Sequence, residues 1–278
     1  MKEIFDNLSA RCSKITTQTY STSFSLGIYF LHKSLHRHIY GIYGFVRLAD
    51  EIVDSFHGFD KVSLIEKFRQ DTQEAIASKI SLNPILNSFQ ATTNEFLIEW
   101  KLIDTFLKSM EMDLDKNEYN QSSFDQYILG SAEVVGLMCL RVFTNNNVSQ
   151  YERLKPAAMK LGSAFQKINF LRDLKADYEG LGRSYFPDID LKSFGSRQKK
   201  LIEENIEKDF DEALKGIKNL PNSSRQGVYL AYIYYRSLFN KIKGFSPDKI
   251  LTARVRIPNR LKFGLMLNSL IRVKLNMI

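Results

Sequence analysis

Apolar residues recur three and four positions apart along almost the whole chain, the spacing that one face of an α-helix produces. Between Lys2 and about Thr19 the positions Ile4, Phe5, Leu8, Cys12 and Ile15 keep it. A hydroxyl-rich break follows, Tyr20-Ser21-Thr22-Ser23-Phe24-Ser25. Such a stretch suits a helix cap, or a set of donors to a phosphate. The spacing then predicts helices over Ser34 to about Phe56, Asp60 to about Ser78, Asn83-Pro84 to just before Glu99-Trp100, and Lys101 to about Asp115. Ser122 or Ser123 caps the next, from Phe124 to about Phe143. Tyr151 to Tyr178, Glu203 to Leu220 and Gln226 to Lys243 follow, with a last amphipathic helix in the tail. The 14 glycines and 6 prolines among 278 residues are few, which agrees with an all-α chain.

Composition narrows the class. Hydrophobic content of 44% and charged content of 25% fit a globular protein of one large domain, taken as 1–278. Cys12 and Cys139 form neither a disulfide framework nor a metal-ligand pair and read as buried free thiols. MKEIFDNLSARC lacks the apolar core of a signal peptide, and no uninterrupted apolar stretch approaches a membrane span. The net charge of +8 is spread among acids along most of the chain, so no basic face for nucleic acid forms. The tail after Asp248 is the exception, with no acid at all. His32 and His36 have metal-compatible spacing but no acid or cysteine beside them, and read as surface imidazoles. Nucleotide-binding glycine motifs and a G-x-S-x-G elbow are absent.

Two apolar helices carry acids where burial would forbid them unpaired. In the first, Asp50 and Asp54 are i and i+4, with Arg47 a turn before Asp50 on the same face. In the second, Asn169, Asp173 and Asp177 follow one another at intervals of four, with Gln166 three before Asn169 and Arg172 and Arg183 alongside. Two such faces across a bundle would ring a cavity with oxygen ligands. Mg²⁺ commonly bridges a few carboxylates to substrate phosphates. The apolar residues below would suit a hydrocarbon tail. The helix with Gly130, Ser131, Ala132 and Gly136 calls either for close helix packing or for room beside an apolar ligand. The stretch Lys61–Lys116 shows no chemical constellation, and the alternating acids Glu111, Asp113 and Asp115 read as scaffold.

FVRLADEIVD and QKINFLRDLKADYEGLGRSYFP resemble the two aspartate-rich motifs of the squalene/phytoene synthase family. YSTSFS resembles its N-terminal serine motif, YILGSAEVVGLM its central small-residue helix and ARVRIPNR its C-terminal basic motif. The likeness runs from Ser21 to about Lys262. It implies an all-α, single-domain isoprenoid synthase bundle around a central cavity. It implies a prenyltransferase that joins two prenyl diphosphates 1′-1 through a cyclopropyl diphosphate, with Mg²⁺ (or Mn²⁺) between the motifs. Carried over, Asp50, Asp54, Asp173 and Asp177 would bind metal, supported by Asn169 and Gln166. Ser21, Arg47, Arg172, Arg183 and Arg254 would contact diphosphate, with Gln166 and Asn169. Tyr43, Tyr127 and Tyr235 would line the cation site. Two departures stand out: Glu51 where many members carry a second aspartate, and Tyr20 where some carry a histidine.

Within the family the expectation is phytoene formation from two C20 geranylgeranyl diphosphates, in carotenoid biosynthesis and without NADPH. The alternative is squalene or dehydrosqualene formation from two C15 farnesyl diphosphates, with NADPH for squalene. Readings from other classes are a noncatalytic helical binding protein, against which the intact acids stand, and an RNA-binding protein. No nucleic-acid partner is expected. A cytoplasmic enzyme is expected, peripheral at the inner membrane face through the basic stretch Arg254–Lys274, beside other carotenoid-pathway enzymes.

Overall fold

The computed structural model describes residues 1–115, 119–181, 185–187, 194–252, 255 and 264; at 115, 176–181 and 252 it describes the backbone alone. Among the described residues every regular element is helical, as the apolar spacing predicts. In chain order these are α1 (Lys2–Tyr20), α2 (Thr22–Tyr29), α3 (Lys33–Asp54), α4 (Lys61–Ser78), α5 (Pro84–Glu95) and α6 (Trp100–Asp115). Then come α7 (Gln121–Ile128), α8 (Val134–Thr144), α9 (Val148–Leu181), α10 (Ser196–Lys218), α11 (Asn222–Lys243) and α12 (Pro247–Thr252). A π-helical turn, Leu129–Glu133, joins α7 to α8.

Local chemistry accounts for several starts. Asn83 caps α5 through its side chain, with Pro84 in the first turn. Asp60 caps α4, and the His32 ring caps α3. The hydroxyl-rich break after α1 is itself helical: Ser21 accepts from the Phe24 N–H and starts α2, an element the apolar spacing does not reveal. Asn120 rather than Ser122 or Ser123 caps α7, one turn earlier than expected. The expected helix over 124–143 is broken in phase by the π turn.

α1 forms where expected, and the face it buries is not its apolar one. Ile4, Leu8 and Ile15 are exposed, while Ser9, Ser13 and Thr17 are wholly buried. The reason is close approach. A Cβ on Gly44 of α3 would lie 3.0 Å from the Ser13 hydroxyl oxygen, so only small side chains fit between these helices. Ser9 also accepts from the Asn87 amide of α5 at 3.1 Å, and Asn87 in turn reaches Asp6 at 3.0 Å.

Two apolar clusters form the interior. One centres on Phe45, stacked on Phe89 at 3.9 Å between ring centroids, and gathers α3, α4, α5, α6 and α8. The other gathers α7, α9, α10 and α11 around Ile168, Phe210 and Phe239. A cavity of about 840 Å³ lies between them and takes lining residues from both. Gln121–Thr144 is, contrary to expectation, a helical run long and apolar enough to cross a membrane, but half of it is buried within the bundle. Tyr127, Val135, Cys139 and Phe143 of this run line the cavity, which gives its apolar character a use inside the protein. Cys12 and Cys139 are free thiols, half-buried rather than fully buried.

The small residues serve both roles that the sequence left open. A Cβ on Gly130 would lie 2.5 Å from the Ser109 Cβ, so α6 requires a glycine there, while Ser131, Ala132 and Gly136 line the cavity. A Cβ on Gly162 of α9 would come within 2.6 Å of the Ala132 carbonyl oxygen. Backbone cannot swing aside as a side chain can. Gly162→Ala should therefore lower stability by about 1–3 kcal/mol, read as a reduced chemical denaturation midpoint at unchanged slope.

Candidate active site

The cavity has a polarity gradient that two helices share. Along α3 its lining runs Ile39, Ile42, Tyr43, Val46, Arg47, Asp50. Along α9 it runs Leu154, Ala158, Leu161, Phe165, Gln166, Asn169, Arg172. Both series pass from apolar to charged in the direction of the chain, and two tyrosines link the charged ends: Tyr43 feels Asp50 and Arg47, while Tyr235 feels Arg172 and Tyr43. Tyr20, Ser21, Thr22 and Ser23, from the α1–α2 junction, also face the cavity. Asp54 and Asp173 continue the two stripes one helical turn past Asp50 and Asn169, about 6 Å along each axis.

Of the residues singled out from the sequence, Ser21, Tyr43, Arg47, Asp50, Tyr127, Gln166, Asn169, Arg172 and Tyr235 all line this one cavity. Asp54 and Asp173 are half-buried beyond them. The Asp177 side chain and all of Arg183 and Arg254 lie outside the described residues, as does the basic tail over 256–263 and 265–278. Among the described residues no three acids converge closely enough to hold a metal by themselves.

The charges are held in specific ways. Arg47 pairs with Glu51 and lies 3.7 Å from Asp50, and its guanidinium covers the Tyr20 ring at 4.2 Å. Both departures from the family pattern thus meet at one residue: Glu51 and Tyr20 fix the plane of Arg47. Its Nε is buried and has no hydrogen-bond partner among the described residues. Arg172 donates from Nε to both oxygens of Asp173 at 3.1 Å. Asn169 accepts from the Tyr235 hydroxyl at 3.3 Å and donates to Gln166 at 3.4 Å.

Asp50 is the electrostatic anomaly. Burial pushes its carboxyl up to about 7, Asp54 and Asp113 add repulsion, and Arg47 only partly offsets them. A carboxylate so placed favours a bound cation, and the orphaned Arg47 Nε favours a bound anion. Oxygen donors of this kind would suit Mg²⁺ carried with a phosphate group, and Asp50, Asp54 and Asp173 are the acids that could hold it.

An aromatic belt separates the charged end from the apolar remainder. Phe165 stacks on Tyr235 at 3.9 Å, and Phe24 contacts Tyr43 at 5.4 Å and Tyr235 at 6.3 Å. Burial raises the Tyr43 phenol and pushes that of Tyr235 up to about 12, so both stay protonated and neutral. Phe24 and Phe165 were not foreseen; aromatic residues a turn from a motif are too common to single out. Asp113, read as scaffold, is the larger omission. It is buried on α6 and accepts hydrogen bonds from three tyrosines.

Ring faces and lone pairs surround a greasy cavity whose one end is built for a cation and an anion together. That arrangement could take an amphiphile with an anionic head. Comparison with known proteins supplies the lineage. The squalene/phytoene synthase family model matches residues 17–260. Phytoene synthase of Arthrospira platensis is 26% identical over 275 residues, covering 89% of this chain and 87% of that protein. Chloroplastic phytoene synthase 1 of Solanum lycopersicum is 25% identical over 254 residues, covering 84% of this chain; the chain spans 60% of that relative's length. Among solved structures, a dehydrosqualene synthase in complex with ligand superposes with a TM-score of 0.82 at 20% identity, over 98% of both chains. Squalene synthase HpnC from Alicyclobacillus acidocaldarius gives 0.75 at 20% identity, over 86% of this chain and 95% of its own. The chain belongs to the squalene/phytoene synthase family, and its fold is the helical fold of those synthases.

Folding raises the Asp50 pKa from an ordinary 3.8 to about 7, so the folded protein keeps a proton that the unfolded chain has lost. Stability of the ligand-free protein should therefore fall as pH rises through this window. Asp50→Asn should remove that slope and be the more stable protein at pH 8, by roughly 2 kcal/mol after allowing for the partial exposure of the carboxylate. Thermal unfolding of both proteins between pH 5 and about 8 checks this, and equal slopes would refute it.

Proposed function

We propose that this protein is a phytoene synthase, joining two C20 geranylgeranyl diphosphates head to head with loss of diphosphate. The observation that carries the reading is the shared gradient of α3 and α9: acids and arginines at one end of a cavity that is otherwise apolar. A prenyl diphosphate has the same two halves. Its headgroup would lie by Ser21, Arg47, Gln166, Asn169 and Arg172, with Arg183 and Arg254 completing the set. Its hydrocarbon would run down past the aromatic belt.

Mg²⁺ held by Asp50, Asp54, Asp173 and Asp177 would neutralise the departing diphosphate. The chain's own residues supply the remainder. Arg47, fixed by Glu51 and Tyr20, offers its free Nε to a headgroup oxygen. Tyr43 and Tyr235, protonated and ringed by Phe24 and Phe165, face the allylic cation with π electrons and neutral oxygens. The apolar lining from α8 and α9 keeps water from that cation. The cytoplasmic face of a membrane is the natural destination for the hydrocarbon product.

The phytoene synthases among the relatives favour the C20 substrate. Condensation of C15 farnesyl diphosphates is the second reading, favoured by the likeness of the fold to a dehydrosqualene synthase over 98% of both chains. Purified protein with Mg²⁺ and geranylgeranyl diphosphate should release pyrophosphate and form a C40 hydrocarbon without NADPH. Turnover of farnesyl diphosphate alone would replace the first reading by the second. Asp50→Ala and Asp173→Ala should each reduce pyrophosphate release by at least about 10³-fold with the fold retained by circular dichroism; activity surviving both changes would remove the metal from the mechanism.

A further inference from the structure

Behind the cavity wall a buried carboxylate collects three phenols. Tyr127 of α7 donates to Asp113 Oδ2 at 2.6 Å, and Tyr119 and Tyr185 each donate to Oδ1 at 3.2 Å. A carboxylate has only acceptors, so all three hydroxyl protons point at it. The three rings come from the residue pair before α7, from α7 itself and from the segment after α9. They close around the carboxylate with centroids 5.1–5.3 Å apart. Phe170 of α9 stacks on Tyr185 at 4.0 Å and tilts against Tyr127 at 5.9 Å. Of the four polar residues only Tyr127 lines the cavity.

Packing alone would be served by phenylalanines. A buried carboxylate costs several kcal/mol unless donors surround it, and this one sits where Asp50 already suffers from its charge. The arrangement adds a direction to the Tyr127 hydroxyl. A phenol has one proton and two lone pairs. With the proton committed to Asp113, the oxygen is left as an acceptor and does not donate to whatever occupies the cavity.

Resting on the prenyl diphosphate reading of the cavity, we propose that Asp113 is a positioning residue that takes the Tyr127 hydroxyl proton and turns the lone pairs of that oxygen toward the reacting allylic cation. Tyr127 then acts as a fixed dipole for positive charge. It neither protonates the leaving group nor donates to the diphosphate. Burial and the neighbouring carboxylate hold its phenol well above the usual range, which keeps it a neutral dipole rather than a phenolate. Tyr119 and Tyr185 bond the other oxygen, Oδ1, and do not touch the Tyr127 bond to Oδ2.

The test is a double-variant cycle on pyrophosphate release. Asp113→Asn replaces an accepting oxygen by an NH₂ group. It should lower kcat about 10²-fold with KM changed less than about threefold, the scale expected for a misoriented group. Tyr127→Phe should do the same, and the double variant should be no worse than either. Losses that multiply, or a folded Asp113→Asn with kcat within about threefold of wild type, overturn the proposal. Should Asp113→Asn fail to fold, the Tyr119→Phe/Tyr185→Phe variant decides. It leaves the Tyr127 bond in place and should keep kcat within about threefold, whereas a loss as large as that of Tyr127→Phe overturns the proposal. Ultraviolet Raman spectra of the ligand-free protein give a reading without turnover. The tyrosine doublet in the difference between wild type and Tyr127→Phe should carry the signature of a strong donor, and the opposite signature overturns the Asp113 assignment. Wild-type protein that turns over neither prenyl diphosphate overturns the substrate reading itself. Turnover without Asp113–Tyr127 coupling overturns only the role of Asp113.

Discussion

A charged group in an apolar interior needs a partner, and the interior of this protein is organised by how that need is met at one end of its cavity. Isolated ions there would cost several kcal/mol each. The chain pairs most of them internally: Arg172 with Asp173, and Arg47 with Glu51. What is left is asymmetric. Asp50 carries more repulsion than Arg47 relieves, and Arg47 keeps one buried donor unused. The residual electrostatic demand is for a cation and an anion at once. On the proposed reading a metal diphosphate would meet both, and its arrival would convert a destabilised carboxyl into a ligand.

The rest of the bundle keeps that end rigid. Two apolar clusters flank the cavity, and both supply residues to its lining. Close backbone approaches at Gly44, Gly130 and Gly162 lock α3 to α1, the π turn to α6, and α9 to the π turn. Buried charge also braces the outside of α9: Lys167 reaches Asp209 of α10 at 2.7 Å, and Ser163 donates to the same carboxylate at 2.8 Å. A dipole aimed at a transient cation works only if it does not reorganise as the charge appears. These contacts tie together the helix backbones that carry the cavity lining.

The helical period made the acid stripes legible. Asp50 and Asp54, or Asn169 and Asp173, are four apart, and on a helix that spacing fixes a common face whatever the tertiary structure. The helices themselves were legible for the same reason. What the period does not encode is which face turns inward. In α1 the apolar residues Ile4, Leu8 and Ile15 stay exposed, because the close approach at Gly44 leaves room only for a side chain as small as that of Ser13. Asp113 was missed because its partners lie 6, 14 and 72 residues away, so no local spacing betrays them. Tyr20 and Glu51 looked like departures from a motif. Their joint hold on Arg47 appears only when α1 and α3 are side by side.

The π turn between α7 and α8 sets the relation between the two jobs of that helical run. Within it the Val134 N–H reaches back five residues to the Leu129 carbonyl, so the run holds one residue more than a continuous α-helix would. One residue is about 100° of rotation. Upstream of the turn the run aims Tyr127 at Asp113 and the cavity; downstream it lays Val135, Gly136, Cys139 and Phe143 along the wall. The inserted residue therefore acts as a phase shifter between a chemical face and a containing face. Without the extra residue one of the two faces would be turned by about 100° away from the cavity.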